Sequence, residues 1–376
     1  MGLSAQVAFD LPERLEAHAT PEERGLARDD VRMLVARGSD GRLIHSRARD
    51  LPDFLRPGDL VVINTSATLP SALPAQRADG TALELRLSTP LPGAGRERRV
   101  DGTVGARRVD GSGRERRAGG SLRACEDRWV VELRDGNAPF KGARTGEVLD
   151  LPADATARLE APYLSGQRLW AARLRLPEPL MSYLARHGAP IRYRYVPDAH
   201  PLADYQTAYA IEPGSAEMPS AGRPLTPAVL TALVAKGVSV APLILHTGVS
   251  SPERGERPYP ERYSVPASTA RLVEATRRWS GRVIAVGTTV VRALETVARA
   301  DGTIEGGEGW TALVVTPDRG VRAVDGLITG WHEPEASHLD ILHAVAGRRL
   351  IERSYAAALQ AGYLWHEFGD LHLIVP

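Results

Sequence analysis

The run Val283-Ile284-Ala285-Val286 leads directly into Gly287-Thr288-Thr289, after which Val290 and Val291 continue at helical spacing. A strand that turns through glycine into a helix leaves outward-pointing N–H groups at the helix start, and here two hydroxyls sit beside them. That combination suits an anion, either a carboxylate or a phosphate. Arg292 and Glu295 follow at i, i+3 on the same helical face. The same residues read equally well as a helix cap with a surface ion pair. Two histidines stand at comparable places, His246 in Leu245-His246-Thr247-Gly248 and His332 in Gly330-Trp331-His332-Glu333-Pro334. Imidazole titrates near neutrality, so both are candidate acids or bases, and Glu333 beside His332 is expected to raise its pKa. Pro219-Ser220-Ala221-Gly222 is either another ligand-facing loop or a plain turn.

Other chemistries are excluded. There is no G-x-x-x-x-G-K-[ST] phosphate loop, and Gly111-Ser112-Gly113 lacks the third glycine and the flanking elements of a dinucleotide fingerprint. No G-x-S-x-G elbow occurs. Cys125 is the single cysteine, which rules out an intramolecular disulfide or a cysteine-based metal site. His332, His338 and His343 lie six and five residues apart without an H-E-x-x-H pattern, and no metal is expected.

The elements that must hold these groups fall into two textures. Residues 59–64 form a short apolar run behind Pro57-Gly58, expected as a buried strand. From about 79, the segments Thr81–Leu87, Arg128–Arg134, Ala155–Leu164 and Arg168–Leu176 alternate at β period between Gly- and Arg-rich stretches, as in a small all-β barrel or sandwich. Within it, residues 96–117 carry eight arginines and four acids, a loop open to reading as a nucleic-acid arm or as a solvated segment.

After about 177, helix and strand patterns alternate. Helices are expected over Pro177–His187, from Thr226 to Lys236, and over Ser268–Trp279, Thr289–Arg299 and Arg349–Gln360. Ser337-His338-Leu339-Asp340 reads as a capping box opening a helix to Ala346. Strands are expected over Val238–His246, Arg282–Val286, Thr311–Thr316 and Leu371–Val375. Such alternation implies a mainly parallel sheet covered by helices, with ligands at the strand C-terminal ends.

The chain has 376 residues with 43% hydrophobic and 25% charged residues, enough for a sizeable core and two ordinary domains. Forty-seven basic and 46 acidic residues leave a net charge of +1, which argues against a strongly basic surface overall. No apolar run approaches a membrane span, and Asp10, Pro12, Glu13 and Arg14 interrupt the start of the chain, so a cytoplasmic protein without a membrane partner is expected.

In their order along the chain, these segments resemble the S-adenosylmethionine:tRNA ribosyltransferase-isomerase family of queuosine biosynthesis. Asp204-Tyr205-Gln206-Thr207-Ala208-Tyr209-Ala210 is similar to the family's Y-Q-T-x-[YF]-A, and Pro219-Ser220-Ala221-Gly222 through Thr226 to P-T-A-G-L-H-F-T. Leu245-His246-Thr247-Gly248 resembles L-H-V-G. Val286 through Glu295 resembles V-G-T-T-S-V-R-x-L-E, the most specific piece. Trp331-His332 through Ser337 parallels F-H-L-P-x-S, and Gly369-Asp370 the terminal Y-G-D.

The resemblance implies an α/β; barrel-like main domain, placed here at residues 1–75 and 160–376, with an inserted small β-barrel domain at 76–159. It implies S-adenosylmethionine as co-substrate and ribosyl donor, and transfer to a 7-aminomethyl-7-deazaguanine in tRNA with release of adenine and methionine. On this basis His246, His332 and Glu333 are assigned catalytic roles. Pro219, Ser220, Ala221, Gly222, Thr247, Gly248, Gly287, Thr288, Thr289 and Arg292 are assigned to S-adenosylmethionine, and Tyr205, Gln206, Asn64 and Asp370 to the acceptor. A monomer acting on tRNA is expected. Departures from the pattern leave two alternatives, the same donor chemistry on another acceptor or a silent nucleotide-binding homologue. Ala67 and Ala72 replace two family arginines, Pro224-Leu225 replaces a His-Phe pair, and Val249-Ser250-Ser251 replaces Gly-Thr-Phe.

Overall fold

The computed structural model describes residues 9–91, 125–164, 168–249, 259–334 and 338–376. The Arg-rich 96–117 stretch and Ser337 of the expected capping box lie outside them. The chain divides into two compact units, Met1–Ser71 with Ala189–Pro376, and Ala72–Gly188.

The first unit begins with β1 (Arg32–Arg37), β2 (Leu43–Arg47), α1 (Leu51–Phe54), β3 (Leu60–Asn64) and β4 (Ser66–Thr68). The second unit contributes β5 (Ala72–Gln76), β6 (Ala82–Pro90), β7 (Cys125–Asp135), β8 (Ala138–Pro139), β9 (Val148–Leu151), β10 (Ala155–Pro162), β11 (Leu169–Leu176) and α2 (Leu180–His187). The first unit then resumes with β12 (Glu212–Ser215), α3 (Pro227–Ala235), β13 (Ser239–Leu245), β14 (Glu261–Val265), α4 (Ala267–Arg278), β15 (Val283–Val286) and α5 (Thr288–Val297). It ends with β16 (Gly307–Thr311), β17 (Gly326–Gly330), α6 (His338–Ala346), α7 (Arg348–Ala361) and β18 (Leu371–Val375).

In the second unit, β5, β6, β7, β11, β10 and β9 pair antiparallel in that order, and Gln76 of β5 meets Asp150 of β9 to close the ring. This is a closed six-stranded β-barrel. Its span begins at Ala72 and runs to Gly188, because β11 pairs with both β10 and β7 and so cannot belong elsewhere. The inserted domain expected at 76–159 lies within this wider unit, and residue 159 falls within β10.

The first unit holds a nine-stranded sheet in the order β16-β14-β13-β3-β15-β17-β18-β1-β2. Strands β13, β3, β15 and β17 run parallel, as do β1 and β18, while the remaining neighbours are antiparallel. The sheet is mixed rather than mainly parallel. It also has two ends, β16 and β2, with no pairing among the described residues to join them. The barrel-like main domain expected from the resemblance is here an open α/β sheet.

Burial on both faces explains why β3 reads as an unbroken apolar run. Leu60 and Val62 pack with residues of α4, α5, α6 and α7, whereas Val61 and Ile63 pack with Leu51 of α1 and Val229 and Leu233 of α3. The result is three layers, helix on sheet on helix. At the foot of β3, Asp59 is fully buried and accepts Arg282 Nη2 at 2.5 Å and the Arg282 N–H at 2.9 Å. Burial alone would raise its carboxyl, yet the Arg282 and Arg56 hydrogen bonds hold it below the usual carboxylate range. Thr226 caps α3 through Val229 N–H at 3.3 Å, with Pro227 at the first helical position.

Candidate active site

Because β13, β3, β15 and β17 are parallel, their C-terminal ends face the same way. Asn64 is the last residue of β3, and His246, Gly287 and Trp331-His332 follow immediately from the ends of β13, β15 and β17.

Asn64 is the hinge pin of this end. Its Nδ2 donates to the Leu245 carbonyl at 2.8 Å and its Oδ1 accepts the Leu245 N–H at 3.0 Å, closing a two-bond clamp across to β13. The same Nδ2 reaches Thr289 Oγ1 at 3.4 Å, tying the start of α5 to the end of β3. Gly287 has φ +89°, a conformation that costs a non-glycine residue about 1–3 kcal/mol. A Cβ there would meet Thr289 Oγ1 at 3.4 Å and Ala221 Cβ at 3.7 Å, which places the Ser220–Gly222 turn against the glycine. That turn needs its own glycine, since a Cβ on Gly222 would sit 2.0 Å from the Tyr209 hydroxyl. The Tyr209, Gly222 and Gly287 segments, distant in sequence, thus meet beside Thr288 and Thr289.

His246 Nδ1 lies 2.7 Å from Ser66 Oγ, which is 2.6 Å from Ser215 Oγ. Gly214 packs on the ring so closely that a Cβ would approach it at 2.4 Å. Burial first, then the positive charge of Arg262, pushes the imidazole down to about 4. It is neutral at physiological pH and can accept a proton only weakly. The neighbouring Thr247 donates its hydroxyl to the Glu217 carbonyl at 2.8 Å, and Gly248 its N–H to Glu261 Oε1 at 2.9 Å.

His332 Nε2 lies 2.8 Å from Thr329 Oγ1, and its ring stacks on His338 at 4.7 Å and 14°. Its backbone is held by Tyr355 Oη at 3.3 Å and Trp365 Nε1 at 3.1 Å. Burial, then the His338, His372 and His366 rings, holds the imidazole well below neutrality. The expected elevation by Glu333 does not occur: burial and the neighbouring histidines govern the ring, and Glu333 itself is pushed up by burial and by Glu16. Among the described residues, no cluster of three or more His, Cys, Asp or Glu is arranged to hold a metal ion.

Several residues read as ligand contacts have their polar groups committed elsewhere. Arg292 pairs with Glu261 and donates to the Leu313 carbonyl at 3.2 Å and the Thr311 carbonyl at 3.4 Å. Glu295, its expected ion-pair partner on the helix surface, instead accepts Arg319 at 2.6 Å and the Arg322 and Ala323 N–H groups, each at 2.7 Å. Gln206 clamps the Thr68 backbone from both sides, at 3.0 and 2.9 Å. Asp370 accepts Arg32 at 2.8 Å and the Leu364 N–H at 2.7 Å. Tyr205 is buried with no hydrogen-bond partner for its hydroxyl among the described residues.

Glu261 was not legible as a site residue, since Glu-Arg-Tyr-Ser-Val carries no motif; only the fold shows that it joins Gly248 to Arg292. Ser66 carried no signal in the sequence, since nothing around it points to a histidine 180 positions on.

An open α/β sheet that gathers a glycine turn, two hydroxyls and buried neutral imidazoles at its strand ends has the architecture in which α/β proteins commonly bind small ligands. The chain belongs to the family described as queuosine biosynthesis protein, whose model matches residues 4–374. It is 33% identical over 98% of both chains to the S-adenosylmethionine:tRNA ribosyltransferase-isomerase of Symbiobacterium thermophilum. The enzyme of the same name from Moorella thermoacetica is 36% identical over 93% of this chain and 94% of its own. A crystal structure of S-adenosylmethionine tRNA ribosyltransferase from Thermotoga maritima matches with a TM-score of 0.50 and 25% identity, covering 98% of this chain and 99% of that one.

Proposed function

We propose that this chain transfers the ribosyl part of S-adenosylmethionine to the aminomethyl group of a 7-deazaguanine in tRNA, releasing adenine and methionine. The observation that carries the reading is the convergence of Gly287-Thr288-Thr289, Ala221-Gly222 and Asn64 at one end of the sheet, in a chain matching this family along its length. The first turn of α5 offers N–H groups and the Thr289 hydroxyl to the methionine carboxylate. A sulfonium acidifies the adjacent 5′ carbon, so a placed base can remove its proton and the ribose can then expel adenine. The two histidines, neutral at pH 7, serve as hydrogen-bond acceptors toward the nucleoside rather than as acids. Arg292 is left out of the ligand set, since Glu261 occupies it.

The test is incubation with S-adenosylmethionine, with and without tRNA bearing the aminomethyl base, following free adenine and methionine by chromatography. Release that depends on the modified tRNA supports the reading. Release without it favours the same donor chemistry on another acceptor, a second reading supported by Ala67 and Ala72 standing where the family carries arginines. No release with intact S-adenosylmethionine binding refutes both.

A further inference from the structure

The turn before β18 holds an unusual arrangement. His366 has φ +73°, a left-handed conformation that a non-glycine residue adopts at a cost and that tends to gather at functional sites. Its ring stacks face to face on Tyr195 at 3.7 Å and 7°, and the Tyr193 ring lies 5.7 Å from Tyr195 at 20°. Both tyrosines use their hydroxyls on carboxylates. Tyr193 bonds Glu217, and Tyr195 donates to Glu367 Oε1 at 2.9 Å. Glu217 in turn accepts the Thr247 hydroxyl through its backbone carbonyl. The stack thereby links the residue after His246 to the neighbourhood of His332, whose imidazole His366 helps to hold low.

Glu367 stands between these two loops with one oxygen oriented and the other, Oε2, shielded and without a hydrogen-bond partner among the described residues. We propose that Glu367, oriented by Tyr195, is the proton acceptor of the transfer reaction. The inference rests on the function proposed above. In the step assigned to it, the C5′–H bond of S-adenosylmethionine breaks and its electron pair stays on the carbon beside the sulfonium. The proton passes to Oε2, leaving a neutral carboxylic acid.

The surroundings suit that task. Burial first, then the negative charges of Glu217 and Glu333, lifts the carboxyl to about 7, while the Tyr195 bond pulls the other way. Tyr205, with its unpartnered hydroxyl, faces the same charge, and His366 Nε2 is 3.7 Å from Glu16, which also pairs with Arg194. A conjugate acid near 7 makes Glu367 a stronger base than His246 or His332, both held far lower, while a substantial fraction stays ionised near neutral pH.

The experiment compares wild type, Glu367→Gln and Tyr195→Phe in adenine release from S-adenosylmethionine with modified tRNA across pH, with donor affinity from calorimetry and folding from thermal melts. Glu367→Gln keeps the acceptor for Tyr195 and is expected to lower kcat ~10²–10⁴-fold with affinity unchanged within a few-fold. Wild-type kcat should fall on the acid side of about pH 7, where the carboxylate takes up its proton. Tyr195→Phe removes a bond to the ionised form, so this acid limb should move to higher pH. A folded Glu367→Gln protein with near-normal kcat overturns the assignment, as does an acid limb that Tyr195→Phe leaves in place. A wild type that binds S-adenosylmethionine but releases no adenine sinks the functional reading, and this assignment with it.

Discussion

Arg292→Leu separates a ligand contact from a structural one. Arg292 and Glu261 are each 8% exposed, and Glu261 also holds the Gly248 N–H. Removing the guanidinium leaves a buried carboxylate with one hydrogen bond and no counter-charge. Breaking a buried ion pair from one side costs roughly 3–5 kcal/mol. At about 2–4 °C per kcal/mol for a cooperative unit of this size, the melting temperature should drop by ~6–20 °C. The double variant Arg292→Leu with Glu261→Gln removes the stranded charge and should recover much of that loss, which a thermal melt reads directly. S-adenosylmethionine affinity, measured below the transition, should change only a few-fold. A single variant with wild-type melting but strongly weakened binding would refute the structural role and return Arg292 to the ligand.

Gly287→Val should bind S-adenosylmethionine ~10-fold or more weakly in calorimetry, about 1.4 kcal/mol, because φ +89° cannot hold a branched residue without moving the turn. His332→Ala removes an acceptor toward the nucleoside and should weaken S-adenosylmethionine binding by about 1 kcal/mol, roughly five-fold, in calorimetry; unchanged affinity of the folded variant would exclude that role. The Asp59 carboxyl is held below its ordinary value, so its stabilisation is full above the unfolded value of about 3.9 and is lost as pH falls through the lower folded one. Melting temperature should therefore decline steeply below about pH 4, and Asp59→Asn should flatten that decline. If tRNA binds, deleting residues 96–117 should reduce the slope of log affinity against log salt, since fewer phosphates are neutralised.

Patterns that depend on neighbours a few residues away were legible. The expected strand over 59–64 is β3, that over Leu371–Val375 is β18, and the helix from Thr226 is α3 with its threonine cap. What failed needed partners far along the chain. The strand expected at Thr311–Thr316 lies instead at Gly307–Thr311, because pairing with β14 selects Gly307 and Gly309 over the more apolar residues that follow. Strands β1, β2, β14 and β17 were passed over, so the antiparallel pairings of the sheet were invisible and the alternation looked parallel. Within the candidate site, Gly287 and Gly222 were readable because only glycine fits their turns. Glu261 and Glu367 were not, since a buried charge declares itself only through what surrounds it.

The strand order of the main sheet has a consequence for biosynthesis. Of the strands in that sheet, β1 touches only β2 and β18, so the β1–β2 hairpin joins the other strands solely through residues 371–375. That hairpin leaves the ribosome early, yet its place in the sheet is created by a strand made more than 300 residues later. Until then Met33 and Val35 have no strand beside them on that edge, and the apolar hairpin waits unpaired while the intervening chain is made.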